Sequence, residues 1–424
     1  MNKNAYNFLD LFAGAGGLSE GFIRSGFKPI AHVEADKGAC NTLKTRTAYH
    51  YLKQYDSLFV YFKYLRGEIS RREFYNFIPE KLLSSIINEK IEKNTLKKIL
   101  SKIDLLLEGE KPDLIIGGPP CQAYSLVGRS RDKNRMVGDS RNYLYKYYGE
   151  FLKYYAPKYF VFENVVGLLS AKDIDGNKYY DGMVNLFKRL GYRTESKIIT
   201  ANDYGIPQNR RRIILVGKKG NDNFKFPEPN KESPNLKIRE LIGDLPPIQA
   251  GGGTIKPVPL HSMPHDYLTR NKIVNGSGMV TWHIARPNTE QDLEIYRIAV
   301  NKWSNKKERL DYNDLPERLK THKNRKSFTD RFKVVAYNME YSHTIMAHLQ
   351  KDGHYYIHPD IHQNRSISPR EAARIQTFPD DYYFEGHTEK HSRAAAYRQI
   401  GNAVPVLLGQ KIAEKLKESI DNGC

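Results

Sequence analysis

A few short segments carry side chains capable of chemistry. Asp10-Leu-Phe-Ala-Gly14-Ala-Gly16-Gly17-Leu-Ser-Glu20 is a glycine-rich run directly after an apolar stretch, and such a turn lets backbone amides approach a cofactor at the start of a helix. A dinucleotide fingerprint needs glycine at its first, third and sixth positions, and the sixth here is Ser19. A nucleotide-like cofactor and a plain structural turn both remain open. Glu34 follows Gly14 by 20 residues, where a carboxylate ending the next strand can accept hydrogen bonds from a ribose diol. In Gly117-Gly118-Pro119-Pro120-Cys121-Gln122 two prolines stiffen the backbone just before a thiol. That mount suits a nucleophile better than a buried structural cysteine. Glu163-Asn164-Val165 supplies a carboxylate that could meet the thiol, and Gln208-Asn209-Arg210-Arg211-Arg212 is a cluster suited to anions or carboxylates.

These segments need a scaffold that brings them to one edge. Alternating apolar runs and amphipathic stretches over the first 220 residues predict a parallel sheet with helical crossovers, its strands at Phe8–Phe12, Ile30–Glu34, Leu114–Gly117, Tyr159–Glu163 and Arg212–Val216. Each strand ends at Gly or near a polar residue, where an open α/β sheet presents its ligand-binding edge. Between the second and third strands, apolar residues at Leu82, Leu83, Ile86 and Ile87, and from Leu96 to Leu107, recur at three and four, which predicts a helical insertion over about 43–111. After Val216, Pro227, Pro229, Pro234, Pro246, Pro247, Gly251 to Gly253, Pro257, Pro259 and Pro264 punctuate a loop-rich second domain. Ser368-Pro369-Arg370-Glu371 reads as a capping box opening a helix that Pro379 ends, and a last helix follows Pro405.

The chain of 424 residues is 40% hydrophobic, enough for two cores, and has no apolar run of bilayer length or signal-peptide pattern. Only three cysteines occur, which excludes a disulfide framework or a cysteine-rich zinc site. The formal net charge of +19 favours a polyanionic partner.

In this order, DLFAGAGGLSEGF, GGPPCQAYS, ENV, QNRRR, SPREAARIQTFP and QIGNAVP resemble the DNA (cytosine-5) methyltransferase family from Asp10 to Pro405. The resemblance implies an α/β fold: a doubly wound, mostly parallel Rossmann-like sheet binding S-adenosyl-methionine, with a second, smaller loop-rich domain. It divides the chain into a catalytic and cofactor-binding domain at 1–217, a target-recognition domain at 218–367 and a return to the catalytic domain at 368–424. The implied activity is methyl transfer to carbon 5 of a cytosine flipped out of double-stranded DNA. Cys121 would add to carbon 6, Glu163 would hold or share the balancing proton at ring nitrogen 3, Arg212 would hold the base's carbonyl oxygen, and Arg210 would be its partner. No metal is required. For the cofactor the pattern implies Phe12, Ala13, Gly14, Gly16, Gly17 and Pro120, with Glu34 on the ribose hydroxyls, Asn402 at the methionine end and Asp104 as the candidate for the adenine amine. Tyr124 stands where the family has Phe.

Arg129, Arg131, Lys133, Arg135 and Arg141 follow the thiol, in what the family uses as a mobile loop closing over DNA, and would contact phosphates. Arg, Asn and Gln within Thr269–Arg286 and His322–Arg331 are the candidate base readers. His354, His358 and His362 have helical metal-ligand spacing, but Tyr355-Tyr356-Ile357 and Pro359 argue for a strand or loop instead. The expected protein is a cytoplasmic, DNA-associated monomer, not membrane-bound, working beside a separately encoded restriction endonuclease or as an orphan. An RNA substrate is disfavoured by the large proline-punctuated domain, a non-catalytic DNA-binding role by the intact Cys121, Glu163 and Arg212, and an NAD-dependent oxidoreductase by Ser19.

Overall fold

The computed structural model describes residues 5–120, 143–220, 222, 224–274, 276–326 and 328–422. At its centre a seven-stranded sheet holds β1 Asn7–Leu11, β2 Lys28–Glu34, β3 Ile86–Asn88, β4 Leu114–Gly117, β5 Tyr159–Val165, β6 Tyr192–Thr200 and β7 Arg211–Lys219 in the order β3-β2-β1-β4-β5-β7-β6. The first five run parallel, and β7 is antiparallel to β5 and β6. Successive side chains of a strand face opposite sides. Leu114 and Ile116 therefore enter one hydrophobic core and Ile115 the other. The Ile115 face is covered by α6 Leu96–Leu107, α7 Leu144–Tyr155 and α8 Tyr179–Arg189. The other face is covered by α1 Gly17–Arg24, by α2 Lys37–Gln54 with the short helices α3 Leu58–Arg66, α4 Arg71–Tyr75 and α5 Glu80–Ser84, and by the end of the chain.

Two strands depart from the sequence reading. β3 lies inside the segment expected to be a helical insertion: α5 ends at Ser84, and Ile86 and Ile87 pair with His32 and Val33 of β2. Two β-branched residues suit a strand, and a three-residue strand is too short to show a period of two. β6, Tyr-Arg-Thr-Glu-Ser-Lys-Ile-Ile-Thr, is an edge strand whose exposed and charged positions hide its pattern.

In the proline-punctuated region the helices are α9 Ile238–Ile242, α10 Asp266–Arg270 and α11 Glu290–Lys306. Residues 236–282 contribute to the same core as the sheet, with Trp282 fully buried, whereas α11 builds a separate small core with Leu310, Tyr312, Phe332 and Ile357. A Thr289–Asp292 capping box starts α11, a signal present in the sequence as Thr-Glu-Gln-Asp.

The capping box at Ser368 forms as expected. Its hydroxyl accepts from the Glu371 N–H, and α12 Pro369–Ile375 is buried along its whole length. Arg374 there pairs with Asp244 and, at 2.6 Å, with Asp380, while Arg365 meets Glu371 at 2.7 Å. α13 Arg393–Asn402 and α14 Val406–Asp421 complete the return. A Cβ on Gly21 of α1 would lie 2.3 Å from the Gln410 nitrogen, so glycine there lets α1 and α14 touch backbone to backbone. Among the described residues no helix is long and apolar enough to cross a membrane.

Candidate active site

The glycine-rich turn joins β1 to α1. Phe12, Gly14 and Gly16 all adopt positive φ, at 59°, 57° and 79°. A Cβ on Gly16 would meet Leu43 Cδ2 at 2.7 Å and the Tyr382 hydroxyl at 2.9 Å, but one on Gly14 would meet nothing within 4 Å. The turn is thus packed on one side and open on the other. Glu34, at the end of β2, accepts the Gly14 N–H at 2.8 Å and the Asp36 N–H at 2.7 Å, and burial pushes its pKa up. The Ala13 N–H donates to the Val33 carbonyl at 3.2 Å, completing the tie between turn and β2. Gly17 abuts the far end of α13, since a Cβ there would lie 2.2 Å from the Val404 carbonyl. Asn402, exposed and two residues earlier, is thereby brought beside the turn.

Asp10 was not singled out by the sequence reading. It is 1% exposed at the end of β1, and its Oδ2 has no hydrogen-bond partner. Burial, with Glu34 adding to it, pushes its pKa up to about 8. Asn88 was also missed. It lies opposite Glu34 at the end of β3, and its amide donates to the Glu34 and Ala35 carbonyls at 3.1 and 3.0 Å.

Asp104, expected at the cofactor, does not join this group. It sits near the end of α6, where Tyr154 and Tyr155 donate to its carboxylate at 2.8 and 3.0 Å. α6 leads into the start of β4, so Asp104 belongs to the edge opposite the glycine-rich turn.

The second half of the edge is built by β4, β5 and β7. Glu163 faces Ile214 across the β5–β7 pairing, two residues from Arg212. Arg212 Nε lies 2.7 Å from Glu163 Oε1, both side chains about 15% exposed, and Arg212 also donates to the Arg211 carbonyl at 2.8 Å. Gly118 makes room for this pair: a Cβ there would lie 2.6 Å from Glu163 Oε2. Buried Asn164 donates to the Pro119 carbonyl at 3.2 Å, which ties the chain ahead of exposed Pro120 to β5. Cys121, Tyr124 and the basic residues Arg129, Arg131, Lys133, Arg135 and Arg141 lie outside the described residues.

Arg210 is turned away from Glu163. It is 1% exposed and donates to the Ile345 carbonyl at 2.8 Å and the Gly401 carbonyl at 3.4 Å. It thus ties the residue just ahead of β7 to α13 and to the segment that carries Ile345. An open cleft of about 390 Å³ at this edge is lined by Val166, Asn209, Arg211, Arg212, His343 and Thr344. His343 and Thr344 come from the proline-punctuated region after β7, and no sequence signal marked them.

Part of the expected base-reading segment is core. Thr281 accepts from buried Arg370, and buried His283 is bound by Pro246 and Ser368. The three spaced histidines have separate surroundings: His354 meets Tyr296, His358 is buried against Glu371, and His362 is exposed. Among the described residues no cluster of potential metal ligands occurs.

The C-5 cytosine-specific DNA methylase family matches the chain over residues 6–58 and 80–418. The chain belongs to that family. As a DNA cytosine-5 methyltransferase it is similar to the type II methyltransferase M.Bpa9945I of Bacillus paralicheniformis, with 42% identity covering 97% of this chain and 99% of the relative. It is also similar to M.DdeI of Desulfomicrobium norvegicum, with 32% identity over 98% of this chain and 89% of that one. The fold is shared with a prophage-encoded E. coli protein described as a DNA modification methyltransferase, at a TM-score of 0.62 and 20% identity, covering 98% and 100% of the two chains. It is shared too with the S. pombe Dnmt2 methyltransferase, at a TM-score of 0.54 and 15% identity, covering 98% and 99%. Residues 59–79, between the two matched stretches, hold most of α3 and all of α4 of this methyltransferase.

Proposed function

We propose that this methyltransferase moves a methyl group from S-adenosyl-methionine to carbon 5 of a cytosine extruded from double-stranded DNA, through a transient bond from Cys121 to carbon 6. The observation that carries the reading is the Glu163–Arg212 pair, 2.7 Å apart at the sheet edge where the Pro119–Pro120 segment leads into Cys121.

The residues at the glycine-rich turn fit the cofactor. The open side of Gly14 admits a ligand against the backbone. Glu34 can accept from ribose hydroxyls, and the buried, unpartnered Oδ2 of Asp10 suits a cationic group. The N-terminus of α1, with Asn402 beside it, suits a carboxylate. Bound S-adenosyl-methionine supplies an electrophilic methyl group.

The remaining steps belong to the chain. The Cys121 thiolate adds to carbon 6 of the pyrimidine, and the displaced electron pair makes carbon 5 nucleophilic. Arg212 holds the carbonyl oxygen where negative charge grows, while Glu163 donates a proton to ring nitrogen 3. After methylation a solvent base takes the carbon 5 proton, the freed electron pair expels the Cys121 thiolate, and the nitrogen 3 proton returns to Glu163, which restores the ring. A base in a duplex is out of reach of such a site, so the cytosine must leave the stack. The relatives are type II methyltransferases, so a separately encoded endonuclease of the same specificity is the proposed partner, and the protein acts as a monomer.

Bisulfite sequencing of DNA from cells expressing the protein should show one short motif methylated at cytosine. DNA that stays unmethylated with soluble protein present would refute the reading.

A further inference from the structure

Beside the cleft that holds Arg212 lies a second cavity of about 150 Å³, its wall including Trp303 of α11, Arg309, Phe332, Tyr341, His343 and Asn209. Asn209 and His343 line both spaces. The partition between them is a short parallel pairing of Gln208–Asn209 with Ser342–His343, so the cavity opens off the catalytic edge on the side of the second domain.

Its chemistry differs from that of a packing defect. Aromatic rings stand next to cations: Arg309 is 61% exposed and 3.7 Å from Asp330, which is held more closely by Lys333 at 2.6 Å. Glu308, 59% exposed, is a further acid on the wall, 4.0 Å from Lys302. Arg309 is therefore only loosely paired and free to meet an anion. His343 is fixed by stacking on Tyr356, with ring centroids 4.9 Å apart, and by donating Nε2–H to the Tyr355 carbonyl. Burial pushes its pKa down to about 4, so the ring is neutral and Nδ1 remains an acceptor. Rings that stack, a cation for phosphate and fixed acceptors for exocyclic amines are the groups that hold a nucleotide.

We propose that this cavity receives one nucleotide of the bound DNA close to the extruded cytosine, its base on the Trp303 and Tyr341 side and its phosphate at Arg309. The inference rests on the methyltransferase reading above. It adds a subsite for DNA built from α11 and residues 308–343, most of which lies outside the segments expected to read bases.

The test uses the full chain and a duplex carrying the motif found by methylation mapping, with each nucleotide in and beside the motif replaced in turn by an abasic residue. Trp303→Ala and Arg309→Gln should each weaken binding of the intact duplex about tenfold, with cofactor affinity unchanged. At one position the abasic duplex should cancel the Trp303→Ala penalty to below about twofold, as a double-mutant cycle requires of groups in contact. Arg309 is exposed, so its variant keeps the test valid if Trp303→Ala fails to fold. Penalties that persist at every position, or variants that bind the intact duplex like the unmodified protein, would overturn the proposal. So would tight binding of free mononucleotides that Trp303→Ala abolishes, because the cavity would then serve a small effector. Absence of any methylation would instead bring down the parent reading, and this one with it.

Discussion

Replacing Glu163 by Gln keeps the shape of the side chain while removing the carboxyl group that meets Arg212 at 2.7 Å and through which the base would receive its proton. Single-turnover methylation by Glu163→Gln should fall by about 10²- to 10⁴-fold, the range of a lost general acid, with cofactor binding preserved. A rate within a few-fold of the unmodified enzyme would remove Glu163 from that role. Asp10 answers to pH. Burial, reinforced by Glu34, lifts its pKa to about 8, whereas an unfolded Asp titrates near about 3.9. Its contribution to stability is complete below the unfolded value and is lost as pH rises through the folded one. Asp10→Asn should therefore gain on the unmodified protein between about pH 5 and pH 8, by up to about 1.4 kcal/mol per pH unit. Thermal melting curves that keep a constant offset across that interval would contradict this.

At the scale of elements, the segment after β4 packs directly against the Glu163 end of β5. A methyl group on Gly118 would lie 2.6 Å from both the Glu163 carbonyl oxygen and its Oε2, so either β5 or the carboxylate must move. Gly118→Ala should cost about 1–3 kcal/mol of stability and lower turnover more than cofactor affinity. Unchanged turnover would show that Glu163 tolerates displacement. The elements that carry this edge were legible because each combines an apolar run with a punctuating residue: β1 with its glycines, β4 with its prolines, α12 with its capping box. β3 and β6 were not legible, one for its brevity and the other for its polar edge position. Glu34 lies against the glycine-rich turn, and Glu163 meets Arg212 at the same sheet edge. Asp104 lies elsewhere, because the helix that carries it ends at the start of β4, away from the glycine-rich turn. His343 and Thr344 reach the edge through a strand pairing of two residues, which leaves no periodic trace in the sequence.

Across the whole molecule, buried ion pairs tie stretches of chain that are distant in sequence. Arg46 of α2 joins Glu20 at 2.5 Å and Asp381 at 2.9 Å, and Arg374 joins Asp244, just after α9, to Asp380. Burial alone pushes the Glu20 carboxyl up, but Arg46 and His50 outweigh it and hold the group well below the usual carboxylate range. The net charge of +19 favours a polyanion such as DNA. Affinity for non-specific duplex should fall with salt on a log–log slope of about −4 or steeper, at about 0.9 per phosphate contact. A flat response would contradict phosphate-driven binding.

The most direct measurement is covalent trapping. A duplex carrying the methylated motif with 5-fluorocytosine at the target position cannot lose a proton from carbon 5 after methyl transfer, so the bond from Cys121 to carbon 6 should persist. With S-adenosyl-methionine present, a denaturation-stable complex of protein and DNA is expected, its peptide map ending at Cys121, and it should be absent in Cys121→Ser. A protein that methylates the unmodified duplex yet never becomes attached to the fluorinated one would contradict the covalent mechanism.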